Sequence, residues 1–391
     1  MARQPSKAKT PAPEPVIAPE PVGPAEAEAG GILTIDLGAI AANYRALSSR
    51  VMPSECAAVV KADAYGCGIE PVTRTLVREG CRTFFVAHLS EARQVRTIAP
   101  EAVIYVLNGY ATGSEAGFVE AFARPVINSA LELAEWDHVV RSGGWSAGFA
   151  LHVDTGMNRL GLGIEEAAGM AGRAAVENHG ITLLMSHFAC AEVPEHPLND
   201  RQIRSFRELR TLYRGVPASL ANSAGIFLDS SAHCDVVRPG MALYGLNPTP
   251  GFPNPMRRAV EIKARIIQVR QVPIGTTVGY QAAWHARRDS RIGIVAAGYA
   301  DGVLRASQQT DSGTGRHVEA AGKRCRILGR ISMDLMAIDL TDLPDNAVRR
   351  GDFVTLVGGD LDLDAVAAEA GTIGYELLTN LGRRFRRVYT I

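Results

Sequence analysis

Apolar positions follow two different rhythms along this chain. Up to about residue 240, short apolar runs alternate with stretches in which apolar residues recur every three to four positions. The runs at 57–60, 83–87, 102–107, 124–127, 148–154, 182–186, 217–221 and 236–237 predict strands buried on both faces. The stretches at 71–79, 90–98, 114–122, 130–141, 165–177 and 200–213 predict helices. Eight strands separated by helices favour a closed parallel (β/α)8 barrel of the TIM type. An open doubly wound sheet is the alternative. It would carry a Gly-rich phosphate turn after its first strand, and neither residues 61–66 nor Gly161-Leu162-Gly163 completes one.

Past residue 260 the period shortens to two. Segments 260–269, 271–277, 292–297, 324–328, 335–340 and 353–357 alternate or are β-branched. Turn signals separate them at Pro273-Ile274-Gly275, Gly298, Gly329, Pro344-Asp345 and Gly358-Gly359. Helices are expected at 362–369 and 375–381, and a closing strand at 386–390. Residues 32–37 also alternate, and Asp36 stands where a helix over 39–48 would be capped. The expected organisation is a barrel over 38–258 and a mostly β domain from 32–37 and 259–391. Residues 1–30 are rich in Pro, Ala and Glu and hold no aromatic residue, so a disordered tail is expected there. That tail lacks the apolar centre of a secretion signal.

Composition narrows the function. The 391 residues carry zero formal net charge, which disfavours nucleic acid or an anionic membrane as partner. No apolar run has the length to span a bilayer. Six scattered cysteines, without a C-x-x-C pair, read as reduced thiols in a cytoplasmic protein. Nine dispersed histidines give no metal-ligand pair.

Candidate chemistry gathers at strand ends, where barrel active sites lie. Lys61 ends the first predicted strand and is the one lysine between Thr10 and Ile262, among five in the chain. Desolvation at such a position leaves more free amine, as a Schiff base to an aldehyde cofactor requires. The alternative is a lysine that emerges into solvent. Asp154 to Arg159 follow the fifth strand, His187 the sixth, Asn222-Ser223-Ala224-Gly225 the seventh and Arg238-Pro239-Gly240 the eighth. Singly, these read as a surface charge, a core histidine and a helix cap. Their repeated placement argues for a site. The last two loops offer the Ser223 hydroxyl and amides at Ser223, Gly240 and Met241 to a phosphate, with Tyr65 and Tyr375 as phenolic donors.

Val60-Lys61-Ala62-Asp63-Ala64-Tyr65-Gly66 resembles the cofactor-lysine motif of bacterial alanine racemases, and the resemblance runs from about residue 32 to 391. It implies an isomerase that interconverts L- and D-alanine, with pyridoxal 5'-phosphate on Lys61 and D-alanine destined for peptidoglycan. It further implies that Tyr65, Asn222, Ser223, Gly240, Met241 and Tyr375 hold the cofactor on its phosphate side. Arg238 would face the ring nitrogen, with His187 in a supporting chain. Arginine cannot protonate that nitrogen, so the electron sink is weakened and the chemistry limited to moving a proton. Arg159 would hold the substrate carboxylate and the cofactor's phenolic oxygen. Val278-Gly279-Tyr280 resembles the motif whose tyrosine is the second base, reaching over from the partner subunit of a homodimer with shared sites. Tyr299 in Gly298-Tyr299-Ala300-Asp301-Gly302 would stand at the mouth of the partner's site. In Gly329-Arg330-Ile331-Ser332-Met333-Asp334, the Met333 amide would meet the carboxylate, with Arg330 and Asp334 on the entry route. His152 departs from the pattern, standing where many members have a lysine that becomes carbamylated. Gln281, Trp284 and Cys67 also differ. Competing readings are a racemase of broader specificity, a barrel decarboxylase and a non-catalytic pyridoxal-phosphate carrier.

Overall fold

The computed structural model describes residues 18–143, 147–177, 180–308, 311 and 315–391. Its first unit is the expected barrel. Seven parallel strands run in order: Ala58–Val59, Thr83–Val86, Val103–Val106, Arg124–Ile127, Phe149–His152, Ile181–Met185 and Ala218–Ser219. The eighth, Val236–Val237, pairs in parallel with Glu55–Cys56, the extension of the first. The Ala57 and Val59 amides donate to Val237 and Pro239 carbonyls at 3.0 and 2.9 Å. On its other side, Asp235 and Arg238 amides donate to Ala218 and Ala221 carbonyls, both at 2.9 Å. Both seams are therefore closed, which excludes the open sheet.

Period-two alternation sorts the barrel strands into two cores. Phe85, Tyr105, Val126, Ala150, Leu183 and Met185 point inward and pack together. Phe84, Ile104, Leu151 and Leu184 point outward and are covered by the helices. Asp36 begins the first helix, Leu37–Val51, by accepting from the Ala39 amide at 2.7 Å. Leu37, expected in the first strand, thus belongs to the helix.

The second unit is a closed antiparallel barrel. Val260–Val272, expected as two strands, is one long strand with a bulge between Ile266 and Gln268. Before the bulge it pairs with Phe353–Val357, and after it with Ser290–Val295. Bending there lets one strand serve both sides of the barrel. Met336–Asp339, Lys323–Leu328 and His317–Ala320 complete the ring. Gly31–Asp36 lies antiparallel to Val260–Val272 and parallel to Arg386–Thr390.

One expectation needs correction. Residues 1–17 lie outside the described residues, but 18–30 are ordered, not a loose tail. Val22 exchanges backbone hydrogen bonds with Arg387 at 2.9 and 2.8 Å, Arg265 donates to Glu26 O at 2.6 Å, and Ala29 is buried. A segment poor in apolar side chains is held here by its backbone, which composition does not report.

Candidate active site

The C-terminal mouth of the first barrel opens into a cavity of about 530 Å³. Lys61, Tyr65, Arg159, His187, Asn222, Ser223, Arg238, Gly240, Met241 and Tyr375 all line it. Tyr375 comes from the second unit, on the helix Gly374–Thr379.

Lys61 lies two residues beyond its strand and opens a left-handed turn: Ala62, Asp63, Ala64 and Tyr65 have φ of 54°, 54°, 52° and 55°. Each non-glycine residue costs roughly 1–2 kcal/mol in that region. Hydrogen bonds hold the turn: Ala62 N–H to Glu91 Oε1 at 2.7 Å, Gly66 N–H to Ala62 O at 2.8 Å, and Ile69 N–H to Asp63 Oδ1 at 2.8 Å. A methyl on Gly66 would strike the Leu378 carbonyl, so the second unit is seated directly on this turn. Burial and the nearby Arg159 cation lower the Lys61 pKa, and Glu91 acts in the opposite direction. The amine is thereby biased toward its nucleophilic form.

Opposite the lysine is an anion cradle. Ser223 Oγ accepts from Gly240 N–H at 2.9 Å and Ala242 N–H at 3.3 Å, leaving its own proton to donate. Tyr65 stacks on Tyr244 with ring centroids 4.7 Å apart. A Cβ on Gly240 would run into the Tyr65 hydroxyl, so glycine there keeps the cradle open.

Arg238 is buried, and its guanidinium donates to Ser219 Oγ and to Ser186 O (2.6 Å) and contacts His187 Nδ1 at 3.3 Å. Among the described residues no carboxylate pairs with it. Burial pushes its pKa down to about 10. His187 is held well below its usual range by burial and by Arg238, so it faces that cation as a neutral acceptor. His152 is also lowered, to about 4, by burial and then by Arg238 and Arg159. Its Nδ1 lies 2.7 Å from Asn128 Oδ1, while Asn128 Nδ2 donates to Val126 O at 2.7 Å. That second bond orients the amide and assigns the histidine proton to Nδ1.

Arg159 is on the cavity rim and exposed. Its loop is shaped by Asp154 Oδ1, which accepts from Gly156 and Met157 amides, both at 2.8 Å.

Tyr280, Tyr299, Arg330, Met333 and Asp334 do not line this cavity. They meet on the surface of the second unit. Tyr299 and Ala300 amides donate to Ser332 and Met333 carbonyls at 3.1 and 3.0 Å. A Cβ on Gly329 would fall 2.6 Å from Val278 O, so the Tyr280 turn rests on the same loop. Arg384 donates to both Asp301 oxygens at 2.7 Å and to Asp334 at 2.6 Å, tying the loops together. Tyr280, Met333 and Tyr299 are 69, 53 and 45% exposed. Two tyrosines and a methionine on mutually bonded loops are thus open to solvent.

Sequence reasoning passed over Glu91 and Asn128. The Glu three residues into a helix was a visible cue for a cap, but nothing in the sequence tied it to Ala62.

Two family models cover nearly all of the ordered chain: "Alanine racemase, N-terminal domain" matches residues 35–248 and "Alanine racemase, C-terminal domain" residues 259–389. An alanine racemase of Methylobacterium sp. (strain 4-46) is 52% identical over 361 residues, covering 92% of this chain and 98% of that protein. A catabolic alanine racemase of Mesorhizobium japonicum is 45% identical, covering 93% and 94%. Among solved structures, alanine racemase from Bartonella henselae with covalently bound pyridoxal phosphate superimposes with a TM-score of 0.87 at 37% identity, covering 92% and 99%. The biosynthetic enzyme of Pseudomonas aeruginosa gives 0.84 at 36%, covering 93% and 100%.

Proposed function

The chain belongs to the alanine racemase family, pyridoxal-phosphate-dependent isomerases, and from that premise we propose that it interconverts L- and D-alanine with Lys61 and Tyr280 as its two proton-transfer groups. The observation that carries this reading is the cavity itself: one amine of lowered pKa, an anion cradle and a buried arginine face the same space.

These residues fit the cofactor. Ser223, Tyr65, Tyr375 and the amides around Gly240 and Met241 would take its phosphate, with Asn222 beside them; glycine at 240 lets the Tyr65 hydroxyl come close to that backbone. Arg238 would meet the ring nitrogen as a donor, and with His187 already neutral beside it, no group there can hand over a proton. When bound, the cofactor supplies an aldehyde for the Lys61 amine and an electron-withdrawing ring for the substrate's α-carbon.

The rest is done by the protein. Lys61 takes or gives the α-proton on one face, aided by desolvation that lowers its pKa and favours the free amine. Arg159 holds the substrate carboxylate at the rim. Tyr280 serves the other face, and because it stands exposed and away from its own cavity, a second copy of the chain must bring it. The Met333 amide, Tyr299, Arg330 and Asp334 would arrive with it as the opposite wall and entry route. We infer a homodimer with shared sites. D-Alanine for peptidoglycan and a cytoplasmic location complete the proposal, supported by six unpaired cysteines, four of them buried.

An absorbance scan followed by D-alanine in heavy water tests it. The expected result is a visible-edge band and α-deuterium in both enantiomers. Protein that binds no such chromophore, or leaves the α-proton in place, refutes it.

A further inference from the structure

Glu91 is the third residue of the helix Leu89–Ile98, and its Oε2 accepts from the Ala87 and His88 amides at 2.8 and 3.1 Å. That half is an ordinary helix cap. The other half is not. Oε1 leaves the helix and accepts from the Ala62 amide at 2.7 Å, 29 residues earlier in the chain. A cap needs no such bond, and Ala62 is the residue bonded to Lys61.

We propose that Glu91 is a positioning residue for Lys61: its carboxylate clamps the first residue of the left-handed turn to the end of the neighbouring strand and so fixes where the amine stands. The proposal rests on Lys61 being the cofactor lysine. Two features of the fold make the clamp matter. The turn consists of four successive residues in a disfavoured conformation, none of them glycine, so it persists only while outside contacts hold it. The strand ladder leading into it ends with the Val60 amide, which donates to Phe85 O at 3.0 Å, so Lys61 and the turn stand beyond the sheet and depend on other contacts for their position. The two oxygens span that gap, one on each side.

Glu91 also acts on charge. The charged groups that bear on the Lys61 amine are Arg159, from the loop after Phe149–His152, and Glu91, from Leu89–Ile98; neutral His187 stands near Lys61 and Arg159. Arg159 disfavours the ammonium and Glu91 favours it. Removing the carboxylate therefore loosens the start of the turn and takes away the charge that favours retaining the proton.

Glu91→Gln keeps the shape but offers a single acceptor, so one arm must release. Glu91→Asp keeps the charge but is one methylene shorter, so it cannot span both arms. Hydrogen exchange at the Ala62 amide, read by mass spectrometry on the full-length loaded enzyme, should quicken at least about tenfold in either variant. The kcat should fall at least about tenfold in both, with KM within about twofold. The pH midpoint of the visible band should shift down in Glu91→Gln and stay near wild type in Glu91→Asp, a separation that loss of structure alone would not produce. An Ala62 amide still protected in both variants overturns the clamp. Fast exchange with unchanged kcat, or a band midpoint that moves equally in both, overturns the positioning role. If Glu91→Gln does not fold, the exchange and kcat of Glu91→Asp decide. A wild-type protein without band or racemisation would refute the functional reading, while amide exchange would still decide the clamp.

Discussion

Replacing Arg238 by methionine separates what the fold requires from what the chemistry requires. Arg238 is 3% exposed and, among the described residues, meets only neutral acceptors: Ser219 Oγ, Ser186 O, Leu220 O and His187. Its pKa is brought from 12.5 to about 10 by burial. At 1.36 kcal/mol per unit, that difference corresponds to roughly 3 kcal/mol of destabilisation from holding the cation there at neutral pH. Methionine fills most of the volume without the charge and recovers that energy. Against this, carbonyls at Ser186 and Leu220 lose a donor, at roughly 1–3 kcal/mol for a buried group. Ser219 keeps a partner, since its hydroxyl donates to Val236 O at 2.6 Å. The two carbonyls together cost roughly 2–6 kcal/mol against the roughly 3 recovered, so Arg238→Met should destabilise by no more than about 3 kcal/mol. Breaking a buried ion pair would cost roughly 3–5 kcal/mol. Racemase activity, by contrast, should fall at least about a hundredfold, because the ring nitrogen loses its donor. The assay is urea unfolding of the cofactor-free protein by circular dichroism, paired with racemisation kinetics. A loss of 4 kcal/mol or more would show that the arginine is chiefly structural. Activity near wild type would refute its proposed place at the ring.

Three further outcomes are expected. Tyr280→Phe and Lys61→Ala should each be nearly inactive alone, yet mixing them with subunit exchange should restore about a quarter of wild-type activity, since half the random dimers then hold one intact shared site; no recovery would contradict sharing. Gly240→Ala should weaken pyridoxal-phosphate retention at least about tenfold by fluorescence titration, because the methyl displaces the Tyr65 hydroxyl, with a loss of roughly 1–3 kcal/mol in urea unfolding from the overpacking. His152 is lowered in the folded protein to about 4, so as pH falls from about 6.5 to 4 the unfolded chain binds the proton first and stability drops, by up to roughly 3 kcal/mol; His152→Gln should flatten that decline in urea midpoints measured against pH, with the remaining slope belonging in part to His187.

Much of the barrel was legible because its signal is local. Strands such as Arg124–Ile127 are apolar runs bounded by turns, and even the two-residue Val236–Val237 was marked by Arg238-Pro239-Gly240 after it. His317–Ala320 was missed: its residues alternate, but a four-residue strand starting with histidine and carrying Glu319 lacks apolar contrast. The left-handed turn was illegible for a different reason. Ala-Asp-Ala-Tyr carries no glycine to announce positive φ, and the conformation is imposed by Glu91 and by the unit that packs on Gly66. Lys61, Arg159, His187, Ser223 and Arg238 were found because strand ends recur at a readable interval, whereas Tyr375, on a helix of the second unit, came with the resemblance. How the exposed Tyr280, Tyr299 and Met333 loops rest on one another was not readable, since Asp301, Asp334 and Arg384 are joined through space and share no periodicity.

The strand Gly31–Asp36 has its neighbours at Val260–Val272 and Arg386–Thr390. During synthesis it leaves the ribosome first and waits for more than 200 residues before either edge can be covered. At roughly 5–20 residues per second that interval is on the order of 10–50 seconds, ample for the parallel barrel to close in between. A nascent chain of this protein therefore carries one strand with both edges uncovered for most of its time on the ribosome, and that strand is where a chaperone, or a neighbouring nascent chain, would make its first contact.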